Sequence, residues 1–166
     1  MQDESAELVA CIPRLRRYAR ALMADFAGAD DLVQDTMERA WRRLASWRRG
    51  AEMRPWLFGI MHNLHVDGLR KAGLATVALD ADTPHPTAAA SDPLELRDLH
   101  TALQALPPEQ REVLLLVALE EMRYEEVAAA LAIPLGTVMS RLSRAREKLR
   151  AQMEGRVPSP PLKVIK

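Results

Sequence analysis

Residues 124–150, YEEVAAALAIPLGTVMSRLSRAREKLR, decide the fold. Val127, Ala128 and Leu131 share one face of a short helix. Pro134 has no amide hydrogen to lose at a first helical position, so it can open a second helix. In that helix Leu142, Ala145 and Leu149 follow Val138 at four, seven and eleven residues, which makes one apolar face. Arg141, Arg144, Arg146, Lys148 and Arg150 set five positive charges against one acid, Glu147. A supporting helix, a tight turn and a basic helix read as a helix-turn-helix, a device for entering a major groove. A plain helical hairpin with a solvated basic face has the same periodicity and charge, so the rest of the chain must decide between the two.

The chain of 166 residues has room for one ordinary domain or two small ones. Few aromatics and abundant Ala, Leu, Arg and Glu favour helix over sheet, and the expected class is all-α. Formal net charge is zero, but it is unevenly spread. Residues 1–73 carry twelve basic and ten acidic side chains, whereas 74–110 carry only Arg97 against six acids. An acidic middle between helical blocks either shields basic ends from nonspecific DNA or keeps a linker in solution. Cys11 is the only cysteine, which permits no internal disulfide or cysteine metal cluster; a small, buried apolar role is expected. The acidic, polar N-terminus is unlike a secretory signal, and no apolar run approaches the roughly 20 residues that span a bilayer, so a cytoplasmic address is expected.

Working outward, residues 5–24 repeat Leu8, Ile12, Leu15, Ala19 and Leu22 at helical spacing, with Pro13 forcing either a kink or a short first helix before a second. Gly28 breaks that pattern, and Asp30 or Asp31 is the expected cap of a helix reaching Leu44. Its apolar positions are Leu32, Val33, Met37, Ala40, Trp41 and Leu44, and its other face is mixed polar, either solvated or a docking face. Pro55 is expected to open a helix that continues through Lys71. Trp47, Trp56 and Phe58, interleaved with basic residues, fit core packing; rings and arginines together also fit the cradling of unstacked bases. Residues 73–92 have no period and contain Pro84 and Pro86, the composition of a flexible linker. Asp92–Pro93 is a helix-start signal, and Leu94, Leu96, Leu99, Leu103 and Leu106 pattern a helix that stops at Pro107–Pro108. The helix from about Glu109 through Glu120 is apolar nearly all round and is expected at the centre of its unit. The expected division is 1–73, a linker at 74–92, 93–154, and a mobile tail at 155–166.

Four segments now share one order and spacing: DLVQDTMERAW (31–41), RPWLFGIMHNLHVDGLR (54–70), LPPEQREVLLLV (106–117) and YEEVAAALAIPLGTVMSRLSRAREKL (124–149). Together they resemble the extracytoplasmic-function family of bacterial RNA polymerase sigma factors. The resemblance implies a minimal member, without a large intermediate domain or N-terminal extension. It also implies that 1–73 corresponds to sigma region 2 and 93–154 to sigma region 4, and that the function is promoter-specific initiation with core polymerase. On that pattern Asp31, Gln34, Asp35, Glu38 and Arg39 are candidates for docking on the coiled coil of the largest polymerase subunit, while Leu32, Val33, Met37 and Trp41 hold their helix in its own domain.

The loop from Ser46 to Arg54 and Asn63 would hold a flipped base of the non-template strand at the minus-10 element, an asparagine amide offering donor and acceptor together. Arg48, Arg49, Arg54, Arg70 and Lys71 are candidates for backbone phosphates there, with Trp47, Trp56 and His62 beside them. For the minus-35 duplex the resemblance points to Met139, Ser140, Ser143 and Arg144 at the groove floor, and to Thr137, Arg141 and Arg146 at phosphates or internal ion pairs. A bidentate arginine–guanine contact by Arg144 would contribute about 1–3 kcal/mol of discrimination. Many relatives carry Lys or Arg where this chain has Met139, which turns that position toward a thymine methyl group. Gly136, in the first turn of that helix, costs roughly 1 kcal/mol against alanine, and close approach of a DNA backbone would account for it. The family commonly pairs with an anti-sigma factor, often membrane-bound.

Three other classes compete. An enzyme would need a metal cluster, a phosphate loop or a nucleophile beside a base; the sequence offers only His62 and His65, a weak metal pair without a third ligand, and no cofactor is expected. A conventional operator-binding regulator leaves residues 31–71 unexplained. A sigma mimic that titrates an anti-sigma factor should have lost its base-facing residues, yet Asn63, Arg141, Arg144 and Arg146 are present.

Overall fold

The computed structural model describes residues 2–76 and 94–155, and all of its regular structure there is helical. The expected linker beyond Thr76, the Asp92–Pro93 start signal and the tail after Gly155 lie outside the described residues. The helices are α1 (Gln2–Ala10), α2 (Ile12–Leu22), α3 (Phe26–Arg43), α4 (Met53–Thr76), α5 (Leu94–Gln104), α6 (Pro108–Ala118), α7 (Tyr124–Leu131) and α8 (Leu135–Glu154), with a single 3₁₀ turn at Leu44–Ser46.

Proline placement sets several boundaries. Pro13 sits in the first turn of α2, where its missing N–H costs nothing, so the chain takes the second of the two expected outcomes, a short helix followed by another. Pro55 falls in the first turn of α4, which begins two residues earlier than expected, at Met53, and runs on to Thr76. The start of α3 differs from expectation. Neither Asp30 nor Asp31 caps it; Asp25 does, its carboxylate accepting from the N–H groups of Ala27 and Gly28 at 3.1 Å each. Gly28 therefore belongs to the first turn rather than breaking the helix.

The core follows the apolar stripes. Leu8, Leu15, Ala19 and Leu22 of α1 and α2 are buried in one cluster with Leu32 and Val33 of α3 and Leu57, Ile60 and Met61 of α4, and Tyr18 meets Phe58 edge-on with ring centroids 4.9 Å apart. Helix α6 is central, with Arg111, Glu112, Val113, Leu114, Leu115 and Leu116 all buried in succession. One continuous apolar cluster takes in both halves of the chain, from Leu8 to Ala145.

The halves are joined by polar contacts as well. Arg111, 8% exposed, spends its guanidinium on four carbonyls: Leu103 (2.8 Å), Gln104 (2.9 Å) and Leu106 (2.8 Å) around the end of α5, and Leu22 (3.0 Å) at the end of α2. The Gln104 amide donates to Ala21 and Leu22 carbonyls at 3.2 and 3.3 Å. Helix ends leave carbonyls unsatisfied, and here side chains from the second half satisfy those of α2. Helix α4 approaches α7 so closely that a Cβ at Gly59 would lie 3.2 Å from the Ala130 carbonyl oxygen.

Candidate nucleic-acid interface

Helix α8 is fixed from below by Val138, Leu142 and Ala145, all buried. That leaves Met139, Ser140, Ser143, Arg144 and Arg146 exposed on the far side, with Thr137 and Arg141 half-buried at its edges. The turn that sets the angle of α8 against α7 is a Schellman arrangement. The Ile133 N–H reaches the Ala128 carbonyl (3.1 Å), the Ala132 N–H reaches that of Ala129 (3.3 Å), and Ala132 is left-handed at φ +53°. Pro134 is the cap rather than the first helical residue. A Cβ at Gly136 would meet open space, so the glycine answers no internal contact. A shallow open groove runs along Tyr124, Met139, Ser143, Arg146 and Arg150.

The residues expected at the minus-10 element divide into two groups. Arg48, Asn63, Arg70 and Lys71 are exposed. Arg49 is exposed too, and its Nε donates to Glu4 at 2.7 Å. Arg54 and His62 face the second half. Arg54 Nη1 donates to the Glu120 carbonyl at 3.2 Å, and His62 Nδ1 lies 2.6 Å from Glu112 Oε1. Trp56 is half-buried, as is Trp47, whose indole nitrogen is enclosed without a hydrogen-bond partner. His65 is buried one turn beyond His62, its Nε2 also unpartnered, and the described residues hold no group of three His, Cys, Asp or Glu side chains placed for a metal.

On α3, Asp31, Gln34, Asp35 and Glu38 are exposed and Arg39 is half-buried, while Leu32, Val33 and Thr36 face the core. The Thr36 hydroxyl donates to the Leu32 carbonyl at 2.7 Å, so it is satisfied within the helix. Trp41 is a correction: it was expected to hold α3 in its domain, and it is 58% exposed. A shallow groove between α2 and α3 is lined by Ile12, Arg16, Asp30, Val33, Gln34 and Met37.

Sequence reasoning missed Glu112 and Glu120, buried polar residues that meet side chains of the first half. A signal was present: a charged residue inside an apolar helix has to find a partner.

A pair of helical units with an open, basic helix-turn-helix face is a DNA-binding architecture. Residues 8–62 match the family described as the Sigma2 domain of PhyR, and residues 96–149 match Sigma-70, region 4. The chain is 37% identical over 150 residues to the ECF RNA polymerase sigma factor EcfG of Rhodopseudomonas palustris, covering 87% of this chain and 82% of that protein. It is 34% identical over 145 residues to the ECF RNA polymerase sigma factor SigE of Mycolicibacterium smegmatis, covering 82% of this chain and 56% of that one. Among solved structures, the sigma factor RpoE in complex with the anti-sigma factor NepR from Bartonella quintana superposes with a TM-score of 0.83 at 34% identity, over 93% of this chain and 98% of that one. The chain belongs to the extracytoplasmic-function family of RNA polymerase sigma factors, whose members direct polymerase to promoters.

Proposed function

We propose that this chain docks on core RNA polymerase through the exposed polar stripe of α3, reads a minus-35 duplex with α8, and holds the minus-10 non-template strand on the loop before α4 and on Asn63. The observation that carries this reading is the exposed face Met139–Arg146 of α8 on the same chain as the exposed stripe Asp31–Glu38 of α3. A plain operator-binding regulator has no use for the second surface. The chain contributes binding energy rather than a chemical step, and it acts in the cytoplasm. Residues 1–73 and 93–154 act as separate modules during initiation, tethered through 74–92. Met139 contacts a thymine methyl and Arg144 a guanine. An anti-sigma factor is the natural negative partner, as NepR is named for the Bartonella protein.

The test is run-off transcription on genomic fragments with core polymerase. Promoter-specific products are expected only when both proteins are present, and their absence with active core overturns the reading. A second reading, a mimic that titrates an anti-sigma factor, draws on the match of residues 8–62 to the PhyR sigma2 domain. It predicts anti-sigma binding with no transcript, and an Arg144→Ala variant indistinguishable from wild type.

A further inference from the structure

We infer that Glu4 is a positioning residue for the minus-10 strand: it braces Arg49, on the loop before α4, so that the guanidinium is aimed at a backbone phosphate. The inference rests on reading that loop as the one that meets the opened strand. The Glu4 side chain is 17% exposed and that of Arg49 is 78% exposed. Glu4 Oε1 accepts from Arg49 Nε at 2.7 Å. The contact therefore uses a single N–H of the five that a guanidinium carries. Both terminal nitrogens, the fork that can hold a phosphate in two parallel bonds, are left over. Among the described residues, no other group accepts from Arg49.

Both ends of the contact are held. Leu8, fully buried, lies one turn after Glu4 on the same face of α1, so the packing of α1 turns Glu4 toward the loop. Asp3 and Glu7, the other acids of that helix, are exposed. On the loop side, half-buried Trp47 and buried Met53 fix the two feet. Between them the Ala51 N–H donates to the Arg48 carbonyl at 3.1 Å, closing a turn in which Gly50 has φ +91°. Only glycine takes that backbone angle without strain. The tip presents two arginines, Arg48 and Arg49, and Arg49 is braced by another helix.

A carboxylate beside a phosphate-binding arginine acts in two ways, with opposite signs. As a charge it repels the strand and lowers affinity. As a brace it fixes a long side chain whose ordering otherwise counts against binding. The geometry favours the brace. Glu4 is mostly covered and sits on the protein side of the guanidinium, while the arginine is open to the outside. Salt and water screen a charge at such an edge, whereas the direction of the fork is not screened. An ion pair with one partner this exposed adds little to folding, so stability does not account for it.

The experiment uses holoenzyme assembled from the full chain and core polymerase. The probe is a fluorescein-labelled promoter fragment, from a start site mapped by run-off transcription, with its minus-10 non-template strand left unpaired. Anisotropy reads affinity. Arg49→Ala should weaken binding about tenfold, the loss of one charge-assisted contact. Glu4→Ala should weaken it about threefold, the effect of one long side chain left to be ordered on binding. Glu4→Gln, whose amide oxygen can still accept from Nε, should stay within about twofold of wild type. The double variant Glu4→Ala/Arg49→Ala should bind no worse than Arg49→Ala, because Glu4 acts through Arg49. Circular dichroism checks that helix is kept. If Glu4→Ala loosens α1, Arg49→Lys decides, since it keeps the charge, loses the fork and should weaken binding by about threefold or more. Tighter or unchanged binding by an intact Glu4→Ala protein makes the carboxylate a mere charge and overturns the inference. Arg49→Ala or Arg49→Lys proteins that bind like wild type overturn it as well. Absence of any run-off product with active core sinks the promoter reading itself, and the inference with it, before the variants are compared.

Discussion

The two candidate DNA faces are built in opposite ways. The α8 face is self-sufficient: Val138, Leu142 and Ala145 pack inward, and everything expected to touch the groove is already outside. The α4 face is shared. Asn63, Arg70 and Lys71 are exposed, while Arg54 and His62 are bonded to the other half of the chain. A duplex presents a fixed groove, so a finished rigid helix suits it. An unstacked strand exists only after melting, and a surface that is completed late suits that substrate.

The hardest blow to this arrangement is Arg111→Leu. Four carbonyls at the ends of α2 and α5 lose their donor in a buried setting. Removing one member of a buried charged network costs about 3–5 kcal/mol, and urea unfolding should register a loss of that order. A loss below about 1 kcal/mol, within the spread of surface substitutions, would mean that the seam contributes little and the two faces are independent.

Arg144→Ala sharpens the contrast from the other side. Arg144 is exposed and makes no core contact, so the unfolding midpoint should not move. Affinity for the minus-35 duplex, identified by mapping start sites, should fall by about 1–3 kcal/mol, with the loss concentrated at one base pair. A uniform loss across sequences would reassign the residue to a phosphate.

Asp25→Ala asks how far the halves share one fate. Its carboxylate caps α3 through two N–H groups, and losing such a cap costs about 1 kcal/mol. With one continuous core, a single unfolding transition should shift as a unit. Two transitions, with only one displaced, would show that the core uncouples at the seam.

These contrasts were unequally legible in the sequence. The α8 face could be read directly because a 3.6-residue period states which side is buried, and the same period placed Asp31, Gln34, Asp35 and Glu38 outward on α3. Trp41 was misread because periodicity gives an angle around a helix but not where the neighbouring helix stops. Asp25 was missed because Gly28 was read as a breaker, although a cap three residues ahead tolerates glycine in the first turn. The seam was invisible for a different reason. Arg17 and Glu120 are 103 residues apart, and no local pattern pairs them. The charges of α6 were outvoted by its leucines, though a buried glutamate is more informative than a buried leucine.

The smallest expected effect is a pH dependence at the same seam. Burial lowers the His65 pKa below its ordinary value near 6.5, Arg111 and His62 add to the lowering, and Glu112 opposes it. The packed form thus favours a neutral imidazole, which regains its ordinary proton affinity when the chain unfolds. Stability from this group is complete above about pH 6.5, declines as pH falls from there toward the lowered value, and levels off beneath it. Urea midpoints at pH 8 and pH 5.5 should therefore differ more in wild type than in His65→Gln. Because His62 and Glu112 also sit at this seam, the difference between the two proteins, rather than either slope, isolates His65. Equal slopes would mean that the His65 imidazole keeps its ordinary proton affinity in the folded chain, so that its burial between α4 and α6 does not oppose the proton.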